Sequence, residues 1–201
     1  MMQECEFCGD EINYHEIIEC ITCALDAKDS YTAGHSQRVS DMALKVCQLI
    51  GLNEKDTEKI HIAAHLHDIG KIGVPDAVLN KAGKLTEEEF DFIKKHPAIG
   101  AEILGKSHKL SELSDIVLMH HERYDGKGYP TGAAGTEIPM GARIIAICDS
   151  IDAITSNRCY RNAHSFEYCY EEIEKNLGKM YDPILGRYVL DNWEDIIAVV
   201  K

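Results

Sequence analysis

No apolar run in these 201 residues approaches the ~20 needed to span a bilayer, and the opening MMQECEFCGDE lacks a signal peptide's apolar core. Both absences point to a soluble, cytoplasmic chain with no membrane span. No stretch shows the alternation or turn spacing of a sheet, and there is no internal repeat or low-complexity linker. Basic residues are scarce: 21 Lys and Arg stand against 34 Asp and Glu, a net charge of -13 with His neutral. Such a field repels polyanions and argues against a long nucleic-acid partner. A small phosphorylated ligand remains compatible with it, because a metal or an Arg cluster can reverse the sign within a pocket. A chain this long buries roughly 70% of its unfolded surface and needs no disulfides to hold a core. Several of the 8 Cys fall in apolar helical stretches, which suits reduced thiols in a cytosolic protein.

What the chain does have is helical periodicity. Val39, Met42, Val46 and Leu49 recur at steps of three or four after His35. Asn53 is placed to cap a helix carrying Ile60, Ala63, Ala64, Leu66 and His67, which must stop near Gly70 or Gly73 ahead of Pro75. Thr86 and Glu89 form a capping box, and Pro97 fits the first turn of another helix. A further helix is expected from Ile116 to His121, running into the loop DGKGYPTGAAG, and a long apolar one from Ile138 to Ser156. Asp182-Pro183 opens a last segment that ends at Trp193. The expected fold is an all-α bundle, with a short Cys-containing segment over 1–15 and one domain over 16–201.

Histidine and aspartate collect where packing does not ask for them. His67-Asp68 and His120-His121 close two helices, His35 starts one, His96 stands at the junction KKHP, and Asp149 lies in the apolar helix RIIAICDSIDAI. A carboxylate among isoleucines costs several kcal/mol unless a cation or strong donors compensate, so Asp149 either pairs with an Arg such as Arg143 or meets a metal. Taken together, five His and two Asp resemble a cage in which Asp68 bridges two ions. Carboxylates and imidazoles without thiolate suit Fe or Mn, with Co, Ni or Zn also compatible. Two such ions about 3.5–4 Å apart clamp an in-line displacement at phosphorus. Lys71, three residues after Asp68, is placed to bind a phosphate oxygen or protonate the departing oxygen. Arg158 and Arg161 could fork onto a phosphate, or be solvated charges at a helix end.

HDIGK at 67–71, HHERYDGKGYP at 120–130 and ARIIAICDSIDAITSNRCYR at 142–161 closely resemble the HD-GYP phosphodiesterases, a branch of the HD superfamily of metal hydrolases. The likeness runs from roughly Ile17 to Asn192. It implies an HD-superfamily helical bundle with a GYP loop beside a dinuclear metal centre. The implied reaction opens a cyclic dinucleotide, usually cyclic di-GMP, to linear pGpG and sometimes on to GMP. The resemblance assigns metal ligation to His35, His67, Asp68, His96, His120, His121 and Asp149, and places Lys71 beside the scissile phosphate. Tyr129 falls in the GYP loop, which in the family borders the site and contacts partners, and Arg158 and Arg161 fall where the family meets ligand phosphates. Some members hold a third metal through a Glu four residues before the first His; Tyr31 stands there, so two ions are expected. Ala133 replaces the usual Leu after GYPxG, and NRCYR with Asn157 and Cys159 replaces DRPYR. These departures bear on the choice between cyclic di-GMP and cyclic GMP-AMP.

Other residues attract notice and receive blander readings. His65 lies some 200° around the helix from His67, so His61 and His65 read as satisfied or surface histidines, as do His15, His108 and His164. Cys5-x2-Cys8 and Cys20-x2-Cys23 have the form of a structural zinc site, weighed against a frayed N-terminus plus core thiols. Cys47, Cys148 and Cys169 read as small core residues. Against the phosphodiesterase stand a phosphohydrolase of nucleotides or ppGpp, which the GYP loop disfavours, and a module that senses the dinucleotide or docks a partner without hydrolysis. Retention of all seven cage positions favours the enzyme.

Overall fold

Capping residues and prolines cut the chain into short helices, as the computed structural model shows for residues 14–29, 34–157 and 162–200. Among these described residues eleven α-helices follow in order: α1 (Tyr14–Lys28), α2 (His35–Leu49), α3 (Glu54–Leu66), α4 (Asp76–Leu79), α5 (Glu87–Ile93), α6 (His96–Leu104), α7 (Ser114–Leu118), α8 (Met140–Thr155), α9 (Phe166–Lys175), α10 (Pro183–Asp191) and α11 (Trp193–Ile197). No strand occurs among the described residues; Leu177 and Tyr181 form one isolated bridge. The fold is all-α.

The caps expected from sequence are in place. Asn53 accepts from Asp56 N, Thr86 and Glu89 complete a capping box, and Asp182 accepts from the N–H groups of Ile184 and Leu185. Two boundaries differ from expectation. The helix expected to reach His121 ends at Leu118, leaving both histidines in a turn. Trp193 opens α11 instead of ending the preceding helix, because Asn192 breaks the run and the Trp side chain is needed in the core.

α2 packs against α3 on one side and α8 on the other. Val39, Met42, Ala43, Val46 and Cys47 meet Ile60, Ala63 and Ala64 of α3 and Ile144, Ile145, Ile147, Cys148 and Ile151 of α8, all buried. Alanines at these crossings let the backbones approach, and α11 closes the far side with Trp193, Ile196 and Ile197.

A 3-10 segment, Ile69–Gly73, follows α3 and lies hard against α6. A Cβ on Gly70 would sit 1.9 Å from the His96 carbonyl oxygen and 2.5 Å from the Gly100 nitrogen, so only glycine permits this approach. The contact brings the α3 end and the α6 start together, and with them Asp68 and His96.

Candidate metal centre

Six of the seven residues singled out from sequence sit where helices begin or end. His35 and His96 are the first residues of α2 and α6, His67 and Asp68 follow α3, and His120 and His121 follow α7. Asp149 projects from within α8, one turn before Asp152. Helix ends leave the backbone free to turn, so these side chains converge without interrupting the apolar packing.

The structure brings all seven together as two groups. One ligand atom from each of Asp68, His96, His120 and His121 lies within 4.8 Å of the others, and the same holds for His35, His67 and Asp149. Asp68 connects them: its Oδ1 is 3.2 Å from His96 Nε2, and its Oδ2 is 3.4 Å from His67 Nε2 and 3.7 Å from His35 Nε2. Asp149 Oδ1 is 3.4 Å from His35 Nε2.

Hydrogen bonds fix which ring nitrogen faces inward. His67, His96 and His120 each direct Nδ1 at the carbonyl oxygen three residues earlier (Ala64, Ile93 and Val117), at 2.6, 2.8 and 2.6 Å. A carbonyl only accepts, so Nδ1 carries the proton and Nε2 points its lone pair into the centre. His35 Nδ1 is held in the same way by Asp152 at 2.7 Å. Consequently His35 Nε2 faces His67 Nε2 at 3.3 Å, and His96 Nε2 faces His120 Nε2 at 3.2 Å. Opposed lone pairs at that distance require a proton or a cation between them. The donor set therefore fits divalent metal ions.

Electrostatics support the same division. Burial lowers the pKa of His96, His120 and His121, the last to about 4, so this group offers neutral imidazoles. Burial also acts to lower His67, but the Asp68 and Asp149 carboxylates outweigh it and raise that group to about 9. Both carboxyls would be pushed up by burial, yet Asp68 is held well below the carboxylate range by Lys71, His67 and His96, and Asp149 is lowered by His35, His67 and His121. Asp149 makes no pairing with Arg143, whose guanidinium goes to Asp182 and the Ile138 carbonyl. The ion-pair alternative for Asp149 is thereby removed.

Lys71 stands directly over Asp68, since a 3-10 turn brings i and i+3 into line. Its ammonium lies 2.8 Å from Asp68 Oδ2 and 3.1 Å from Asp29 Oδ2. The two carboxylates outweigh burial and raise its pKa, which suits a fixed positive charge and opposes the proton-donor role expected as one alternative.

Supporting residues escaped the sequence reading. Asp152 receives His35 Nδ1, and Arg38 Nε donates to its other oxygen at 2.5 Å; these partners are 114 to 117 positions apart. Asp152→Asn keeps the volume but weakens the orientation of His35, and metal affinity or turnover should fall about 10–100-fold. Isothermal titration with Mn²⁺ checks this, and an unchanged affinity and rate would refute the role. Glu122, in the HHE run, is buried, and its Oε1 accepts from Thr131 N, Thr131 Oγ1 and Gly132 N at 2.6 to 3.0 Å. This carboxylate folds the GYP loop back onto the His120-His121 turn. Gly128 permits the approach, for a Cβ there would lie 2.3 Å from Arg123 N. Tyr129 ends with its ring centroid 5.0 Å from that of His121, and burial raises its pKa.

Other expectations fare differently. Arg158, Arg161 and Cys159 lie outside the described residues, as do Tyr31 and the Cys5 and Cys8 half of the four-thiol site. Cys20 and Cys23 are exposed on α1 and are not core thiols, whereas Cys47, Cys148 and Cys169 are buried as expected. His65 is wholly buried and keeps one nitrogen without a partner, and it clusters with His61 and His15. The reading as satisfied or surface histidines holds for His61, which meets the Ser40 carbonyl, and for part-exposed His15 beside Glu19, but is corrected for His65: helical angle sets it apart from the first centre and says nothing of what the opposite face meets.

Residues 19–185 match the HD domain family. The chain belongs to the HD domain family, in its HD-GYP branch. A cyclic di-GMP phosphodiesterase of Thermotoga maritima is 42% identical over 188 residues, covering 92% of this chain and 51% of the relative. The cyclic di-GMP phosphodiesterase response regulator RpfG of Xanthomonas campestris is 40% identical over 84% of this chain and 45% of its own length. A 3'3'-cGAMP-specific phosphodiesterase of Vibrio cholerae is 35% identical over 92% of this chain and 36% of its own. The HD-GYP chain thus spans about half, or less, of these relatives. Among solved structures, the cyclic GMP-AMP phosphodiesterase V-cGAP3 of V. cholerae superposes with a TM-score of 0.69 at 18% identity, covering 92% of this chain and 50% of that one. The PgpH HD domain of L. monocytogenes bound to cyclic-di-AMP gives 0.63 at 23% identity, covering 90% and 94%. These two show a shared fold. No helix among the described residues is long and apolar enough to cross a membrane.

Proposed function

We propose that this HD-GYP domain is a metal-dependent phosphodiesterase that opens cyclic di-GMP to linear pGpG, with Fe or Mn as its two ions. The observation that carries this reading is the pair of donor groups joined through the two oxygens of Asp68. His96, His120, His121 and Asp68 Oδ1 would hold one ion; His35, His67, Asp149 and Asp68 Oδ2 the other. Ions in these positions supply Lewis acidity toward a phosphoryl oxygen and an activated water as nucleophile.

The protein's own groups do the rest. The Nδ1 hydrogen bonds hold the four inward imidazoles in one tautomer, so no reorganisation is required as charge develops. Lys71, kept charged by Asp29 and Asp68, is a fixed cation for a non-bridging phosphate oxygen. Tyr129 on His121 walls one side of the centre, and Glu122 holds that wall in place; the same loop is the surface offered to a protein partner. Arg158 and Arg161 follow α8 and would meet the second phosphate of a cyclic dinucleotide.

Cyclic GMP-AMP is a second candidate substrate. Relatives named for each dinucleotide match this chain at comparable identity, and Ala133 shortens the loop wall. The test is anaerobic incubation of protein loaded with Fe²⁺ or Mn²⁺ with each dinucleotide, followed by chromatography. Conversion of cyclic di-GMP to pGpG or GMP at the higher kcat/KM supports the reading. A preference for cyclic GMP-AMP reassigns the substrate, and intact dinucleotide in every reaction would turn the proposal toward a non-hydrolysing sensor or docking module.

A further inference from the structure

On the face of α3 opposite the catalytic histidines, His61 and His65 stand one turn apart, four residues from each other, the spacing with which a helix presents two imidazoles to one ion. His15, in the first turn of α1, completes the group. The ring centroids of His61 and His65 are 4.7 Å apart, and those of His15 lie 5.4 and 5.1 Å from them. One ring nitrogen from each of the three lies within 4.8 Å of the others.

The hydrogen bonds around the group decide its chemistry. Ser40 Oγ has a single proton, which it donates to the Gln37 carbonyl at 2.8 Å. Toward His65 Nε2, at 3.0 Å, the hydroxyl must therefore accept, so that nitrogen carries the imidazole proton. His65 Nδ1 is left with a bare lone pair on a side chain of 0% exposure, and it has no hydrogen-bond partner. His61 is set in the complementary sense: its Nδ1 points at the Ser40 carbonyl at 3.2 Å, so it donates there and Nε2 keeps the lone pair. Residue Ser40 thus orients both rings, by hydroxyl and by carbonyl, as outer-shell partners orient metal-bound histidines. His15 Nε2 lies 3.3 Å from the Glu19 carboxylate, one turn along α1.

A buried polar atom without a partner destabilises the fold, and a bound metal ion would satisfy this one. We propose that His15, His61 and His65 form a second metal site, separate from the catalytic centre, for a divalent d-block ion that favours imidazole, zinc foremost. Three imidazole ligands without a carboxylate in the group suit zinc better than the Fe or Mn proposed for the mixed His/Asp centre. The ion would clasp the start of α1 to α3. The other end of α1 leads to Asp29, whose carboxylate holds Lys71, so the clasp secures a helix that contributes to the catalytic site at its far end.

The test is zinc stoichiometry by plasma mass spectrometry on the full chain, together with the visible spectrum of the cobalt(II)-substituted protein. Variants His15→Ala and His61→Ala, both at half-buried positions, are compared with the parent and with His108→Ala as a control. Each variant is expected to bind one equivalent of zinc fewer than the parent, to lose the intense d–d bands of a four-coordinate cobalt site, and to keep its far-UV circular dichroism. His108→Ala should keep all of them. Unchanged stoichiometry and spectrum in both variants, or loss of every ion at once, would overturn the second site.

Discussion

Asp68→Ala should reduce kcat on the order of 10³-fold or more, the largest single effect available in this domain. This carboxylate stands between the two donor groups, with Oδ1 facing His96 and Oδ2 facing His67 and His35. Removing it takes a ligand from both proposed ions. The charge stabilisation two ions supply is worth several kcal/mol, and each 1.36 kcal/mol is tenfold in rate. The same change leaves Lys71 with Asp29 alone, so a half-buried ammonium loses one of its two counter-charges. Asp68→Asn separates these contributions, because it preserves the volume while removing the charge. Single-turnover rates with the metal content of each variant measured in parallel provide the check. A variant that kept a turnover within tenfold of the parent would rule out the bridging role.

Gly70→Ala should be the most damaging substitution outside the ligands. The added Cβ meets backbone atoms, the His96 carbonyl oxygen and the Gly100 nitrogen, which cannot step aside as a flexible side chain would. The 3-10 segment must then lift from α6, at a cost of about 3 kcal/mol. Asp68 precedes Gly70 by two residues and His96 supplies the clashing carbonyl, so the shift pulls the shared carboxylate from its neighbour. A misplacement of ~1 Å costs about 10²-fold in rate. Urea denaturation should show a lower midpoint, and turnover should fall even where the protein stays folded; wild-type values for both would show that the segment tolerates the methyl group.

The sequence disclosed whatever is written locally. Asn53, Thr86 with Glu89, and Asp182 announce their helices because a cap acts within three residues, and the core stripe of α2 is visible as periodicity. The candidate metal-centre residues are legible for a related reason: His and Asp at helix ends stand out against apolar surroundings. Their division into two groups was not, since periodicity reports which residues share a face and not which faces meet. Asp152 lies one turn from Asp149 and looked like any charge on α8, until its partners on α2 were known. Asp29 and Lys71, 42 positions apart, are joined only by the packing of α1 beside the 3-10 segment. Helical angle separates His65 from His67, but α1, which covers the face of His61 and His65, belongs to a distant stretch of sequence. The expected core burial of Cys20 and Cys23 failed likewise, because α1 turns that side outward.

The link from Arg38 and His35 to Asp152 also governs when the centre can exist. In chain order His35, His67, Asp68, His96, His120 and His121 all precede α8, so the four-residue group draws on no residue of α8 while the other needs Asp149. Closing a loop of more than a hundred residues carries an entropic penalty that local helices do not face. Until α8 docks, Arg38 has no Asp152 to receive it and His35 has no outer-shell acceptor. The group that holds Asp149 is therefore completed only once α8 has docked, and α11 has still to close the far side of the core.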